Sequence, residues 1–252
     1  MAKIASPLFI LREHCAKDLY GVLERIALLG FDGVEFLSTF GRDAREVRVR
    51  LDALGLTAVG NHVGFNELAD ETERVLDENS ALGCGFITAG GAGADAMPGG
   101  KNYRGAIETW QSLCEKTKAR GMTLLYHNHA QELKNKINGK TELECLMDDA
   151  PSLSLEPDLG WMKIGGADPF YFLEKYAGRC PVIHFKDYMF TEDGFVFRPT
   201  GYGSLDCAGL GRAANKCSPV WYVLDHDHAY ERDIYGDLKL SLDYFKNLEA
   251  LG

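Results

Sequence analysis

The stretch Val182-Ile183-His184-Phe185-Lys186-Asp187 begins apolar and ends with polar side chains two residues apart, and the second half of the chain repeats this plan three more times. The repeats are Tyr126-His127-Asn128-His129, Leu155-Glu156-Pro157-Asp158 and Leu224-Asp225-His226-Asp227, each behind an apolar run. Alternate residues of a strand share a face. His127 with His129, Glu156 with Asp158, His184 with Lys186 and Asp225 with Asp227 would therefore converge on one side of one sheet. Imidazoles, carboxylates and an amine are costly in an interior unless something pairs them. A divalent cation held by mixed oxygen and nitrogen ligands is the most economical partner, which points to a metal enzyme.

Outward from these runs, short β-rich segments alternate with longer amphipathic ones, the mark of parallel βα units. Strands are expected near residues 4–11, 33–37, 57–63, 86–90, 123–129, 152–158, 182–187 and 221–227. Helices are expected over residues 18–29, 44–54, 68–82, 103–120, 142–149, 168–176 and 236–248, where apolar residues recur every three or four positions. Gly30, Gly55, Gly83 and Gly121 stand where left-handed C-caps would stop four of them. Eight units in 252 residues is the size of a closed (β/α)8 TIM barrel, read as a single domain over residues 1–252. A doubly wound open sheet is the runner-up, since no strand opens with a dinucleotide-type glycine fingerprint.

Active sites of barrels lie at the carboxyl ends of the strands, where all four polar pairs fall. Glu35 and His62 close the second and third runs and would join them. Residues from about 190 to 203 hold Asp193-Gly194 among aromatic and apolar residues, which reads as a hairpin inserted over the mouth. Asn138-Gly139-Lys140 is a second turn signal.

Composition narrows the function. The formal net charge of −10 argues against phosphate-backbone binding, so nucleic acid is not an expected partner. The first residues lack a signal-peptide apolar core and no run is long enough to span a membrane, so a cytoplasmic location and no membrane partner are expected. Seven scattered cysteines without a C-x-x-C pair read as reduced, mostly buried thiols.

Asp158 and His184 are the leading ligand candidates, because a carboxylate oxygen and a neutral imidazole on adjacent strand ends reach one ion together. The blander reading is a buried Asp–His hydrogen bond. Asp225 is a third candidate; Glu156, one layer lower, could orient a histidine instead, and Glu132 lies just past the fifth strand. Ligation without thiolate suits Mn²⁺, Co²⁺, Mg²⁺ or Zn²⁺ and does not choose among them. Trp161 and Trp221 could each stack on a sugar face or simply pack. The glycine-rich Gly90-Gly91-Ala92-Gly93 and Gly201-Tyr202-Gly203 lack P-loop context and read as loops. His127-Asn128-His129 matches the letters of a nuclease motif but not its basic surface.

Gly30-Phe31-Asp32-Gly33-Val34-Glu35-Phe36, Gly60-Asn61-His62-Val63-Gly64, Tyr126-His127-Asn128-His129 with Glu132, Glu156-Pro157-Asp158-Leu159-Gly160-Trp161, His184-Phe185-Lys186-Asp187 and Gly201-Tyr202-Gly203-Ser204-Leu205-Asp206 together resemble the xylose isomerase-like TIM barrels. That family includes sugar phosphate isomerases/epimerases, ketose 3-epimerases, hydroxypyruvate isomerase and inosose dehydratase. The resemblance runs from about residue 11 to 248. It implies a metal held from the fifth to eighth strands by His127, Asp158, His184 and Asp225, where many members have glutamate, aspartate, histidine and glutamate. His129 matches a general-base histidine of related dehydratases and lyases, and Lys186 the lysine of a His-x-Lys-Asp motif.

The expected activity is metal-assisted proton removal beside the carbonyl of a sugar or cyclitol, through an enediolate. Reprotonation gives isomerisation or epimerisation; loss of a β-substituent gives a dehydratase or lyase acting on an inosose or 3-keto-glycoside. His129, Lys186 and Glu132 are the expected catalytic residues, with His62, Glu35, Trp161 and Asp227 meeting the substrate. Phosphodiester hydrolysis and a non-catalytic sugar-binding subunit are the rival classes. A homo-oligomer is left open.

Overall fold

A computed structural model of the chain describes residues 2–230 and 232–251. Eight strands form its centre: β1 (Lys3–Pro7), β2 (Gly33–Phe36), β3 (Thr57–Gly64), β4 (Phe86–Gly90), β5 (Thr123–His127), β6 (Ser154–Glu156), β7 (Val182–Thr191) and β8 (Trp221–Asp225). Parallel pairing runs in the order β7, β8, β1, β2, β3, β4, β5, β6. The ring closes by an isolated parallel bridge between Asp158 and His184, where the His184 N–H donates to the Pro157 carbonyl at 2.9 Å. This is a (β/α)8 TIM barrel; the open-sheet alternative falls.

Side-chain alternation builds two apolar layers. Leu124, Tyr126, Ile183, Phe185, Tyr222 and Leu224 point outward and are buried under the helices. Ala5, Val59, Leu125, Val182, Trp221 and Val223 fill the amino-terminal end of the barrel as a separate cluster. Trp221, only 4% exposed, is thus part of the plug at the closed end and cannot stack on a sugar at the mouth. Gly33 must be glycine because the Trp221 ring and the Thr57 carbonyl lie where its Cβ would stand. The polar ends of the strands are all at the opposite face.

Helix bounds follow capping chemistry. Ala44–Leu54 starts where the Asp43 carboxylate accepts from the N–H groups of Arg45 and Glu46, and stops at left-handed Gly55. The expected strand at 4–11 ends at Pro7, and a helix already begins at Arg12 (Arg12–Leu29). Asp18 interrupts that helix (φ −151°, ψ 82°), and its carboxylate accepts from the Gly21 N–H at 3.0 Å. The segment 68–82 is likewise two helices, Phe65–Asp70 and Thr72–Leu82, parted at Glu71. β7 runs past Asp187 and pairs antiparallel with Gly194–Arg198, forming the rim hairpin with Glu192 and Asp193 at its tip. Lys136–Ile137 and Lys140–Thr141 pair around Asn138-Gly139, both at positive φ. All seven cysteines are free, and all but Cys145 are fully buried.

One polar knot ties the outer helices together. Thr141 and Glu144 form a capping box at the start of Glu142–Asp149, and the other Glu144 oxygen accepts from Tyr171 Oη and Lys175 Nζ, each at 2.8 Å. Burial opposes the charge on Glu144, but Lys175 and these hydrogen bonds prevail and lower its pKa to about 2. A lowered carboxyl pKa stabilises the fold above the unfolded value of 4.5 and loses that contribution as pH falls towards 2. Glu144→Gln should therefore cost about 1–3 kcal/mol at neutral pH in urea unfolding, with the gap to the unmodified chain narrowing below pH 4.5. A gap that stays constant into acid would show that the charge on Glu144 contributes nothing.

Candidate active site

At the carboxyl-terminal mouth lies a cavity of about 400 Å³, lined by Glu35, His62, His127, His129, His184 and Lys186, with Asp225 and Asp227 at its side. Phe9 and Leu37 form an apolar wall, which sequence reading did not single out. Two groups of metal-competent side chains meet beneath the cavity. His62, His127, Glu156 and His184 form one; Asp158, His184 and Asp225 form the other. His184 belongs to both. Its Nε2 is 3.0 Å from Glu35 Oε2 and 3.6 Å from Glu156 Oε2, while its Nδ1 is 3.3 Å from Asp225 Oδ2.

Lys186 is the centre of the upper group. Its Nζ, although 1% exposed as a residue, lies 3.0 Å from Asp158 Oδ2, 2.9 Å from Asp225 Oδ2 and 2.8 Å from Asp227 Oδ1. Burial works against its charge, yet the three aspartates hold its pKa well above the ordinary value. Lys186 and His184 in turn keep Asp225 ionised against burial, well below the usual carboxylate range. Asp158 shifts upward because burial outweighs the help of Lys186. Its Oδ1 accepts from the Trp161 N–H at 2.9 Å, capping the short helix Leu159–Ile164. Gly160 follows because the Lys186 carbonyl occupies the space of any Cβ there.

The lower group is tied from outside. Glu156, wholly buried, accepts from Thr88 Oγ1 at 3.1 Å, and its other oxygen is 3.0 Å from His127 Nδ1. Burial and the charge of Glu35 push Glu156 up. Burial also opposes ionisation of Glu35, but His184 and His62 hold it well below the carboxylate range. The same carboxylates raise His62 to about 10 against its desolvation. His127 moves the other way: burial and the neighbouring imidazoles of His184 and His62 keep it neutral.

The remaining expected residues separate into mouth and frame. His129 is exposed, lines the cavity, and makes ring contacts with His127 (5.2 Å) and Trp161 (5.8 Å). Glu132 is buried and faces an adjoining cavity, not the mouth; it accepts from Tyr126 Oη at 2.9 Å and from the His129 N–H at 3.2 Å, which sets the loop after β5. Trp161 packs between His129 and the hairpin residues Phe195 and Phe197. Two framing residues escaped sequence reading. Asn128 exchanges hydrogen bonds with the Asp158 backbone, joining β5 to the end of β6. Asp187 accepts from the N–H groups of Gly201, Gly203 and Leu205, so the Gly201-Tyr202-Gly203 loop spends its donors on a carboxylate of the chain itself. The His-x-Lys-Asp and Gly-x-Gly letters were the only signal for that pairing.

Barrel closure, a polar mouth and this donor set define a class, and comparison names it. The chain belongs to the xylose isomerase-like TIM barrel family, whose model matches residues 23–237. Inosose dehydratase of Geobacillus kaustophilus (strain HTA426) is 25% identical over 203 residues, 70% of this chain and 64% of that protein, so the match spans less than two thirds of the relative. A sugar phosphate isomerase/epimerase from Parabacteroides distasonis ATCC 8503 superposes with TM-score 0.79 at 18% identity, covering 98% of this chain and 94% of that one. A xylose isomerase-like TIM barrel protein from Mycobacterium smegmatis, in complex with magnesium, gives TM-score 0.73 at 17% identity over 98% and 96%. These superpositions establish the fold. No helix among the described residues is long and apolar enough to cross a membrane.

Proposed function

We propose that the chain is a divalent-metal-dependent sugar isomerase or epimerase that removes a proton beside a carbonyl. The observation that carries this reading is the convergence of His129, Lys186, His184 and Glu35 on one cavity sized for a small polyol. Buried donors without hydrogen-bond partners, His62 Nε2, His184 Nε2 and Asp225 Oδ1 among them, suit an ion. The candidate holders are Asp158, His184, His127 and Asp225 in one set, and in the other His62, His127, Glu156 and His184, with Glu35 within 3.1 Å of His62 and 3.0 Å of His184. A bound cation would offset the negative charge that grows on the substrate oxygens as the proton leaves.

The chain's own groups supply the rest. His129, exposed on the cavity wall beside His127 and with no hydrogen bond to its imidazole among the described residues, is placed to take the proton; imidazole is suited to that role near neutral pH. Lys186 lines the cavity with its three ammonium donors facing Asp158, Asp225 and Asp227, and would meet a substrate oxygen by exchanging the partly exposed Asp227 for it. Phe9, on the cavity wall, supplies apolar surface for a ring face, and Trp161, packed against His129, would extend it. Glu132 acts through the loop that carries His129.

A specific feature favours elimination as the second reading. His127 is engaged by Glu156, and Asp225 by Lys186 and His184, so neither is a free acid/base partner opposite His129. One base serves a dehydratase or lyase acting on an inosose or 3-keto-glycoside, and the inosose dehydratase relative is compatible with it. In either case His129→Ala should lower kcat/KM by about 10²–10⁴-fold while the metal content is kept. A screen of ketoses, inososes and 3-keto-glycosides in D₂O should show deuterium entering beside the carbonyl. Turnover with full retention of that hydrogen, also with deuterated substrate, would sink the proton-removal scheme.

A further inference from the structure

We propose that the divalent cation of this chain sits on Glu35, His62, Glu156 and His184, below Lys186, and that the aspartates above serve the ammonium instead. This rests on the metal-dependent reading and fixes the seat of the ion. Nitrogen and oxygen donors alternate around it. His62 Nε2 is 3.1 Å from Glu35 Oε2 and 3.0 Å from Glu156 Oε2; His184 Nε2 is 3.0 Å and 3.6 Å from the same two oxygens. Four ligands about 2.0–2.2 Å from one tetrahedral ion stand roughly 3.3–3.6 Å apart, close to this spacing.

The directions agree with the distances. Both Nε2 atoms are buried without an aligned hydrogen bond, although carboxylate oxygens lie this near. The outer partners are those of a ligand set as well: His184 turns Nδ1 to Asp225, and Glu156 is steadied by Thr88 and His127. A dication would take the place of the protons that these carboxylates otherwise draw onto His62 and His184, leaving two carboxylates and two neutral imidazoles whose charge it balances. The upper group has a resident cation: although Asp158 Oδ2 and Asp225 Oδ1 lack an aligned hydrogen bond, the Lys186 ammonium stands between the two carboxylates, and Asp158 Oδ1 is spent on the Trp161 N–H. Imidazole-rich ligation of this kind suits Zn²⁺ or Co²⁺ better than Mg²⁺.

The test uses the full chain, stripped by a chelator and titrated with Co²⁺ by visible absorption and calorimetry, with circular dichroism and thermal unfolding to confirm folding. One Co²⁺ should bind. Glu35→Gln and His62→Ala should each weaken it by more than about 100-fold, beyond the 10–100-fold typical of an outer partner. Asp158→Asn should stay within about 10-fold and leave the ligand-field spectrum unchanged. If Glu35→Gln does not fold, His62→Ala decides, since its side chain is 31% exposed at the cavity wall. Wild-type affinity in His62→Ala with loss in Asp158→Asn would overturn the proposal. So would a chain that binds neither Co²⁺ nor Zn²⁺, since protonated His62 and His184 would then pair the carboxylates alone. Ion binding as expected without hydrogen exchange in D₂O would keep this seat and remove the enolisation reading; the converse would do the opposite.

Discussion

His184→Ala is expected to abolish both cation binding and turnover. It is the one side chain shared by the two metal-competent groups, so the result does not depend on which of them takes the ion. Removing its imidazole takes a nitrogen donor from beside Glu35 and Glu156 and frees Asp225 Oδ2 from Nδ1. Affinity for Co²⁺ should fall by more than about 100-fold, the upper range for loss of a mere outer partner. Activity on any substrate found should drop to background while far-ultraviolet dichroism stays that of the barrel. A variant with full metal and full activity would show that the buried imidazole is only a core residue.

Much of this arrangement was legible because strand alternation is local. The polar pairs of β7 and β8 read from the letters do share a face, and strand 86–90 and helices 44–54 and 142–149 have the ends expected; for the helices, Asp43 and the Thr141–Glu144 box mark starts and Gly55 a stop by contacts a few residues away. Strand ends were less legible. β5, β6 and β8 stop at His127, Glu156 and Asp225, two residues short of their reading, because a strand lasts only while its neighbours pair with it. Trp221 shows the same limit: whether a ring lies at the plug or the mouth depends on stagger between strands.

Height within the barrel is the property that period-two reasoning cannot supply. Alternation puts His184 and Lys186 on one face, but only register sets Asp225 level with Lys186, Glu156 level with His127 and Asp158 beside His184. Glu35 and His62 arrive from β2 and β3 at the depth of Glu156, far away in sequence. Glu156 was read as a residue that could orient a histidine, and its Oε2 does lie 3.0 Å from His127 Nδ1. The role of Asp187 needed the loop at Gly201 to fold back on it, which no local pattern announces.

Lys186→Met should be the most destabilising single change at the mouth. The thioether fills much of the lysine volume but leaves Asp158 and Asp225 buried without the ammonium that lies within 3.0 Å of both. Breaking a buried ion pair from one side costs about 3–5 kcal/mol, because the remaining charge is neither solvated nor paired. Urea unfolding at neutral pH should show a loss of that order, and turnover should fall with the anchor for a substrate oxygen. Lowering the pH should narrow the difference, since carboxylates left without Lys186 take up protons readily. Adding Asp158→Asn to Lys186→Met should recover part of the loss, a coupling that independent sites would not show. Added Zn²⁺ should raise the stability of the Met variant more than that of the parent, because the space between Asp158 and Asp225 then lacks its resident cation. A loss below about 1 kcal/mol, indifferent to Asp158→Asn and to Zn²⁺, would mean that water already screens these aspartates and that Lys186 is not their counter-ion.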